Sequence, residues 1–353
     1  MERMVSWVSC AGRRIGPGAP CFIVAEAGVN HNGHLEDARD LVDAARRAGA
    51  DAIKFQTWVT EKLMVPDARM APYQVRNTRR RESQFTMAKR LELSYAEFRR
   101  LKGYAQRRGI IFFSTPDEED SANFLDELGV PVFKIGSGEV TNLPFLRHVA
   151  RKRRPIILST GMSTMAEVEA AVQAIEAEGN RQLVLLHCVS EYPARPSDCN
   201  LRAMETLHSA FRYPVGFSDH TLGHDVAVAA VVLGACVIEK HLTLDQSLPG
   251  PDHQVSLDEQ GFARLVGAIR VVESALGSGR KRPTPGELKT RAAVQKRVVA
   301  ARNLSAGTRL ASNDLMLRRA SRGLPAESLA MLVGREVRRA IKGHEVIVRE
   351  MLW

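Results

Sequence analysis

Eight short apolar runs, at 21–25, 52–55, 110–114, 132–135, 156–159, 183–188, 215–218 and 235–239, recur along the chain with helix-like segments between them. Segments 35–48 and 166–178 repeat apolar residues at helical spacing. Gly49 and Gly129 stand where two of the helical segments must stop, just before the next run. Strands alternating with helices eight times predict an α/β fold, a parallel (β/α)8 TIM barrel. One interval, from Thr57 to Gly109, is too long for a single crossover helix. It is read as a long loop, 59–84, on the side of the barrel where loops carry function.

Each run ends in polar or ionisable residues. The ends read Ala25-Glu26, Lys54-Phe55-Gln56, Ser114-Thr115, Lys134-Ile135-Gly136-Ser137, Ser159-Thr160, His187-Cys188-Val189-Ser190, Ser218-Asp219-His220 and Glu239-Lys240-His241. In a closed parallel barrel these ends meet at one mouth. A barrel built for stability alone has no reason to set Lys54 and Lys134 there.

Four groups of residues stand out. His220 and His241 suit one divalent cation, with open positions for substrate and water. Nitrogen and oxygen ligands without thiolate suit Mn²⁺. Two hydrogen-bonded histidines at strand ends are the plainer reading, and nearby Asp219, Glu239 and Asp252 tilt it toward metal. Asp219 and Ser218 are also expected to bind a polyhydroxylated substrate. Lys54 and Lys134, with hydroxyls at Ser137, Ser159, Thr160, Ser190 and Ser218, suit a small multiply charged anion. A Schiff base on one lysine is the competing chemistry. Glu26 is a general acid/base, a holder of sugar hydroxyls, or the ion-pair partner of Lys54. Tyr192 and segment 73–78 contact a sugar or pack their loops.

The bulk numbers remove other classes. The formal charge is +10, but the basic residues are spread, and the clusters at 76–81 and 147–154 have no interleaved aromatic residues. That argues against nucleic acid. No apolar run approaches the roughly 18 residues a membrane span needs, and the first residues lack a signal-peptide pattern, so a cytoplasmic protein is expected. The five cysteines form no CxxC and are read as buried thiols. Past Gly277 the chain turns basic and rich in glycine and proline. The predicted domains are a barrel at 1–278, a linker at 279–294 and a small domain at 295–353. Short strands are predicted there at 297–301, 308–310, 315–318, 335–340 and 345–348.

Read together, Glu26 to Gly33, Lys54-Phe55-Gln56-Thr57, Lys134-Ile135-Gly136-Ser137, Ser159-Thr160-Gly161-Met162, Ser218-Asp219-His220-Thr221, Glu239-Lys240-His241 and Pro249-Gly250-Pro251-Asp252-His253 resemble the sialic acid synthases. This is the phosphoenolpyruvate-dependent nonulosonic acid synthase family. The tail resembles its SAF domain, an antifreeze-like β-clip fold. The resemblance implies a domain-swapped homodimer that condenses phosphoenolpyruvate with an N-acylated hexosamine such as N-acetylmannosamine. The alternative acceptor is a diacetamido-trideoxyhexose, leading to legionaminic or pseudaminic acid.

By position, His220 and His241 match the family's Mn²⁺ ligands. Lys54, Thr115, Lys134, Ser137, Ser159, Ser190 and Ser218 match its phosphoenolpyruvate contacts. Glu26, Gln56, Asn77, Tyr192 and Asp252 match its sugar side, and Arg319 matches a tail arginine that reaches the partner's site. Ser190 departs from the asparagine of neuraminate members. Ala320-Ser321-Arg322-Gly323 replaces the usual proline-glycine turn. Asn77-Thr78 with Glu82-Ser83-Gln84-Phe85 is closer to the neuraminate and legionaminate branches than to the pseudaminate branch. From the residues alone, a Schiff-base aldolase and a non-catalytic sugar-binding barrel stay open.

Overall fold

A computed structural model describes residues 7–353. The chain divides into two units, the second being Ser278–Trp353. The first begins with a hairpin that the runs do not announce, β1 (Val8–Cys10) and β2 (Arg13–Ile15), turned at Ala11 and Gly12. Val8, Cys10 and Ile15 belong to the main core.

The eight runs are strands: β3 (Phe22–Gly28), β4 (Ala52–Thr57), β5 (Ile111–Pro116), β6 (Phe133–Ile135), β7 (Ile156–Ser159), β8 (Leu183–Cys188), β9 (Val215–Asp219) and β10 (Val237–His241). They pair in parallel and in sequence order, and β10 closes the barrel on β3. Closure leaves no sheet edge. It also sets the register of the mouth: His241 lies beside Glu26, Glu26 beside Lys54, and Gln56 beside Thr115.

The outer helices bury one stripe each. In Leu35–Arg47 the buried residues are Ala38, Leu41, Val42, Ala44 and Ala45. Acidic Glu36 and Asp37 start that helix and Arg46 and Arg47 end it, as its dipole favours. Each fully buried leucine, isoleucine or phenylalanine in this core contributes about 1.5–3 kcal/mol.

The interval 57–109 is more ordered than a loop. Thr60–Leu63, Pro72–Thr78 and Gln84–Leu91 are short helices ahead of Tyr95–Arg108. Pro72 starts its helix at the one turn where a missing N–H costs nothing, and Ser83 accepts from Thr86 N at 3.2 Å. Val29, Trp58, Met87, Ala88 and Leu91 form a small core of their own beneath these helices.

In the second unit, β11 (Lys296–Ala300) pairs antiparallel with β12 (Leu315–Arg319) around Val298, Leu304, Leu310, Val337, Ile341 and Ile347. The strands predicted at 308–310, 335–340 and 345–348 are not ladders. They touch through single bridges, Arg309 to Glu336, Val337 to Leu352 and Val299 to Val346. Closely spaced turns cut them short. The predicted linker also holds a helix, Pro285–Val294, begun by a reciprocal cap between Thr284 and Glu287. All five cysteines are buried and unpaired. Among the described residues no helix is long and apolar enough to cross a membrane.

Candidate active site

Side chains alternate across a strand, and this sorts the mouth. Lys54 and Gln56 of β4, Lys134 of β6, Ser218 of β9, and Glu239 and His241 of β10 line one cavity of about 480 Å³, as does His220 just past β9. Asp219 and Lys240 point the other way. Lys240 Nζ lies 2.7 Å from Asp219 Oδ2, and both side chains are fully buried. The other Asp219 oxygen accepts from Thr221 N at 2.9 Å and Thr221 Oγ1 at 2.8 Å. The expectation that Asp219 serves substrate or metal is therefore corrected. It is a structural carboxylate behind the strand, satisfied by its neighbours.

The inward charges form one buried cluster. Lys54 Nζ lies 2.7 Å from Glu26 Oε2 and 3.8 Å from Glu239 Oε2, and donates to Thr115 Oγ1 at 3.1 Å. Lys134 Nζ lies 3.5 Å from Glu239 Oε1, which accepts from Ser218 Oγ at 3.0 Å. Gln56 Nε2 donates to Glu26 Oε1 at 3.0 Å. Two ammonium groups thus face two carboxylates.

Burial works against every charge here, and the partners decide the outcome. Burial alone would depress Lys54, but Glu239 and Glu26 hold it above its ordinary value. Lys134 stays below its ordinary value, burial outweighing Glu239. Burial raises Glu239 too, yet Lys134, Lys54 and the Ser218 bond pull it below the usual range. Glu26 is raised by burial beyond what Lys54 takes back. Such a cluster adds little stability, because desolvation offsets its attraction. What it offers is a preorganised receptor for charge.

The two imidazoles stand with ring centroids 5.6 Å apart. His220 Nδ1 donates to Val189 O at 2.6 Å, which leaves Nε2 as the lone-pair nitrogen. His241 Nδ1 is buried without a hydrogen-bond partner. Burial pushes His220 down to about 4 and, with His220 beside it, His241 well below its ordinary value. Both rings are neutral at neutral pH. Gly28, at φ +51°, makes room for Glu26 and His241: a Cβ there would stand 3.1 Å from Glu26 Oε1 and 3.5 Å from His241 Cε1.

Opposite, Gly161 N donates to Ser137 Oγ at 3.0 Å, and Ser137 Oγ lies 3.2 Å from Cys188 Sγ. A Cβ at Gly161 would collide with Ser190 Oγ and stand 2.9 Å from Ser137 Oγ. Ser159 Oγ is buried with no partner. These groups make a small polar cradle. A second cavity of about 360 Å³ adjoins the first and includes Asp252, whose Oδ1 is also unpartnered.

Glu26, Gln56, Thr115, Ser137, Ser159 and Ser190, all at strand ends, line the larger cavity, and so does Tyr192 from the loop after β8. Asn77 instead donates through Nδ2 to Pro251 O at 2.7 Å and ties the 72–78 helix to the 249–253 segment. Arg319 closes β12 in the second unit and is exposed there.

The sequence model of the NeuB family matches residues 41–281, more than half of the chain. The chain belongs to the NeuB family. A SAF domain matches residues 296–352. This NeuB-family chain is 47% identical over 323 residues to an N,N'-diacetyllegionaminic acid synthase of Legionella pneumophila, covering 90% of this chain and 91% of that one. It is 36% identical over 343 residues to an N-acetylneuraminate-9-phosphate synthase of Mus musculus, covering 97% and 95%. In structure it is similar to an N-acetylneuraminic acid synthetase of Leptospira borgpetersenii solved with citrate, at a TM-score of 0.72 and 34% identity, over 82% of this chain and 98% of that one. Membership makes the chain a condensing transferase.

Two side chains of this NeuB-family chain take roles that the strand ends do not specify. Glu239 is the counter-ion that both lysines share, and its place on the same face as His241 is the signal that identifies it. Tyr73, in the 73–78 segment read as a sugar contact or loop packing, stacks on Tyr192 at 4.6 Å between ring centroids.

Proposed function

We propose that this mouth joins phosphoenolpyruvate to an N-acylated hexosamine, giving a sialic acid-type nonulosonic acid and phosphate. The observation that carries the reading is the pairing of two buried ammonium groups, Lys54 and Lys134, with two neutral imidazoles, His220 and His241, around one cavity.

Lys54, Lys134 and Thr115, with the cradle of Ser137, Gly161, Ser159, Ser190 and Ser218, hold the phosphate and carboxylate of phosphoenolpyruvate. The incoming anion adds negative charge to a cluster that is balanced without it. Glu26, already raised by burial, is the carboxyl that takes up a proton in response. That makes Glu26 the acid/base of the site, oriented by the Gln56 amide. Gln56, Tyr192 and Asp252 hold the sugar, while Asn77 fixes the segment that carries Asp252. Enclosure of both substrates in adjoining cavities excludes water and supplies proximity.

The donor set fits a divalent cation. His241 keeps an unpartnered buried nitrogen, and the Val189 bond frees Nε2 of His220. A cation held by His220 and His241, manganese in this reading, would supply Lewis-acid polarisation to the acceptor's carbonyl. In a swapped homodimer, Arg319 of a second copy completes the sugar side.

The diacetamido-trideoxyhexose reading is favoured by the Legionella relative, at 47% identity against 36% for the neuraminate-9-phosphate synthase. The test is phosphate release from phosphoenolpyruvate with Mn²⁺ across N-acetylmannosamine, its 6-phosphate and the diacetamido-trideoxyhexoses. Release with none of them would end the proposal.

A further inference from the structure

Asp117 follows the last residue of β5. Its backbone N–H donates to Thr57 O at 3.1 Å, which fixes it beside the end of β4. Its carboxylate makes no hydrogen bond or ion pair among the described residues. The charged groups that act on it are Glu139, Lys54, Glu26 and Lys134. Burial first, and Glu139 next, push it up to about 7. The residue is half-buried and lines two cavities, so a ligand in either can reach its carboxylate.

Four residues line both cavities: Gln56, Tyr73, Asp117 and Tyr192. Asp117 is the ionisable carboxyl on that boundary. Beyond it the smaller cavity is walled by Trp58, Leu63, Met64, Met87 and Leu91, with Gln74, Gln84 and Asp252 as further polar groups. Among the described residues no lysine or arginine lines it. A phosphate monoester placed there would lose its hydration with no cation of the same barrel to receive it and with two carboxyls beside it. Acyl and deoxy methyl groups would instead meet indole and thioether surface.

We propose that Asp117 is a substrate-contacting specificity residue. The smaller cavity receives the end of the acceptor remote from the new carbon–carbon bond. Asp117 accepts a hydrogen bond there from an amide N–H or hydroxyl. This favours an uncharged diacylamino-deoxyhexose over a hexosamine 6-phosphate. The assignment rests on the condensation reading above and adds the residue that reads the acceptor.

The experiment compares wild type, Asp117→Ala and the near-isosteric Asp117→Asn in phosphate release with Mn²⁺ and phosphoenolpyruvate. The acceptors are N-acetylmannosamine, its 6-phosphate and a diacetamido-trideoxyhexose. Asp117→Ala should lose about tenfold or more in kcat/KM for the diacetamido sugar, as expected for a lost bond to a charged group. The KM for phosphoenolpyruvate should stay within about twofold, and selectivity against the 6-phosphate should fall. Asp117→Asn keeps the shape and an acceptor oxygen but loses the charge, so the acceptor ratio should change in the same direction and by less. Equal losses for all acceptors, a shift confined to phosphoenolpyruvate, or an unchanged ratio in both variants overturns the assignment while leaving the condensation reading in place. A wild type that turns over none of the acceptors overturns both.

Discussion

The Tyr192 ring is stacked on the His220 imidazole with centroids 4.1 Å apart. Tyr73 stacks on the outer face of Tyr192, and Arg76 Nη2 donates to Tyr192 O at 2.8 Å. The 72–78 helix therefore braces a candidate metal ligand through one aromatic ring. An aromatic pair is worth about 0.5–1.5 kcal/mol, up to roughly tenfold in an equilibrium. Tyr73→Ala is expected to raise the Mn²⁺ concentration for half-maximal activity several-fold, with little change in Tm. Calorimetric titration with Mn²⁺ checks it directly. An unaltered metal affinity would reduce the stack to loop packing.

His220→Ala and His241→Ala should each abolish Mn²⁺-stimulated phosphate release while the circular dichroism spectrum stays that of the wild type. Both rings sit at the barrel's rim rather than in its apolar layers, so the fold does not depend on them. Full activity of either variant in the presence of a chelator would remove the metal from the mechanism.

The strands and their polar ends are legible because burial in a parallel barrel needs only a local apolar run, and the chain must leave that run somewhere polar. What the runs do not disclose is which side each polar residue faces. Asp219 and Glu239 read alike in the sequence, yet strand alternation sends one behind β9 and the other into the cavity. Asp117 is hidden because it lies one step past Pro116, outside any run. The β1–β2 hairpin is too short for a two-residue period to register. Helix Pro285–Val294 is announced by Thr284-Pro285 and Glu287, but the surrounding glycines, prolines and charges read as linker.

Asp252 connects the site to stability. Burial, with Glu26 adding to it, pushes its carboxyl from 3.8 up to about 7. Between those values the folded chain keeps a proton that the unfolded chain releases. Its contribution is thus fully present below the unfolded value and is lost as pH rises toward about 7, by at most about 1.4 kcal/mol per pH unit. Asp252→Asn removes the penalty of an ionised buried carboxylate. It is expected to raise Tm above neutrality by about 2–4 °C for each kcal/mol recovered, and to have little effect near pH 4. Activity should fall at the same time, since the group is retained for substrate and not for the fold. Melting curves of the two proteins across that pH range decide it; parallel curves would contradict the raised value.

Arg319 offers a test of assembly that needs no structure. In a swapped homodimer, a barrel with intact His220 works with the tail of the other copy. An Arg319→Ala chain and a His220→Ala chain each lack one part, and each alone should be nearly inactive with the acceptor. Mixed after subunit exchange, half of the dimers carry one of each, and one site in each mixed dimer joins a sound barrel to a sound tail. Random pairing then restores about one quarter of the wild-type rate. If Arg319 serves its own barrel, or none, no exchange can rebuild a site, because the sound barrel always keeps the altered tail. Recovery on mixing is therefore an outcome that only the swapped arrangement produces.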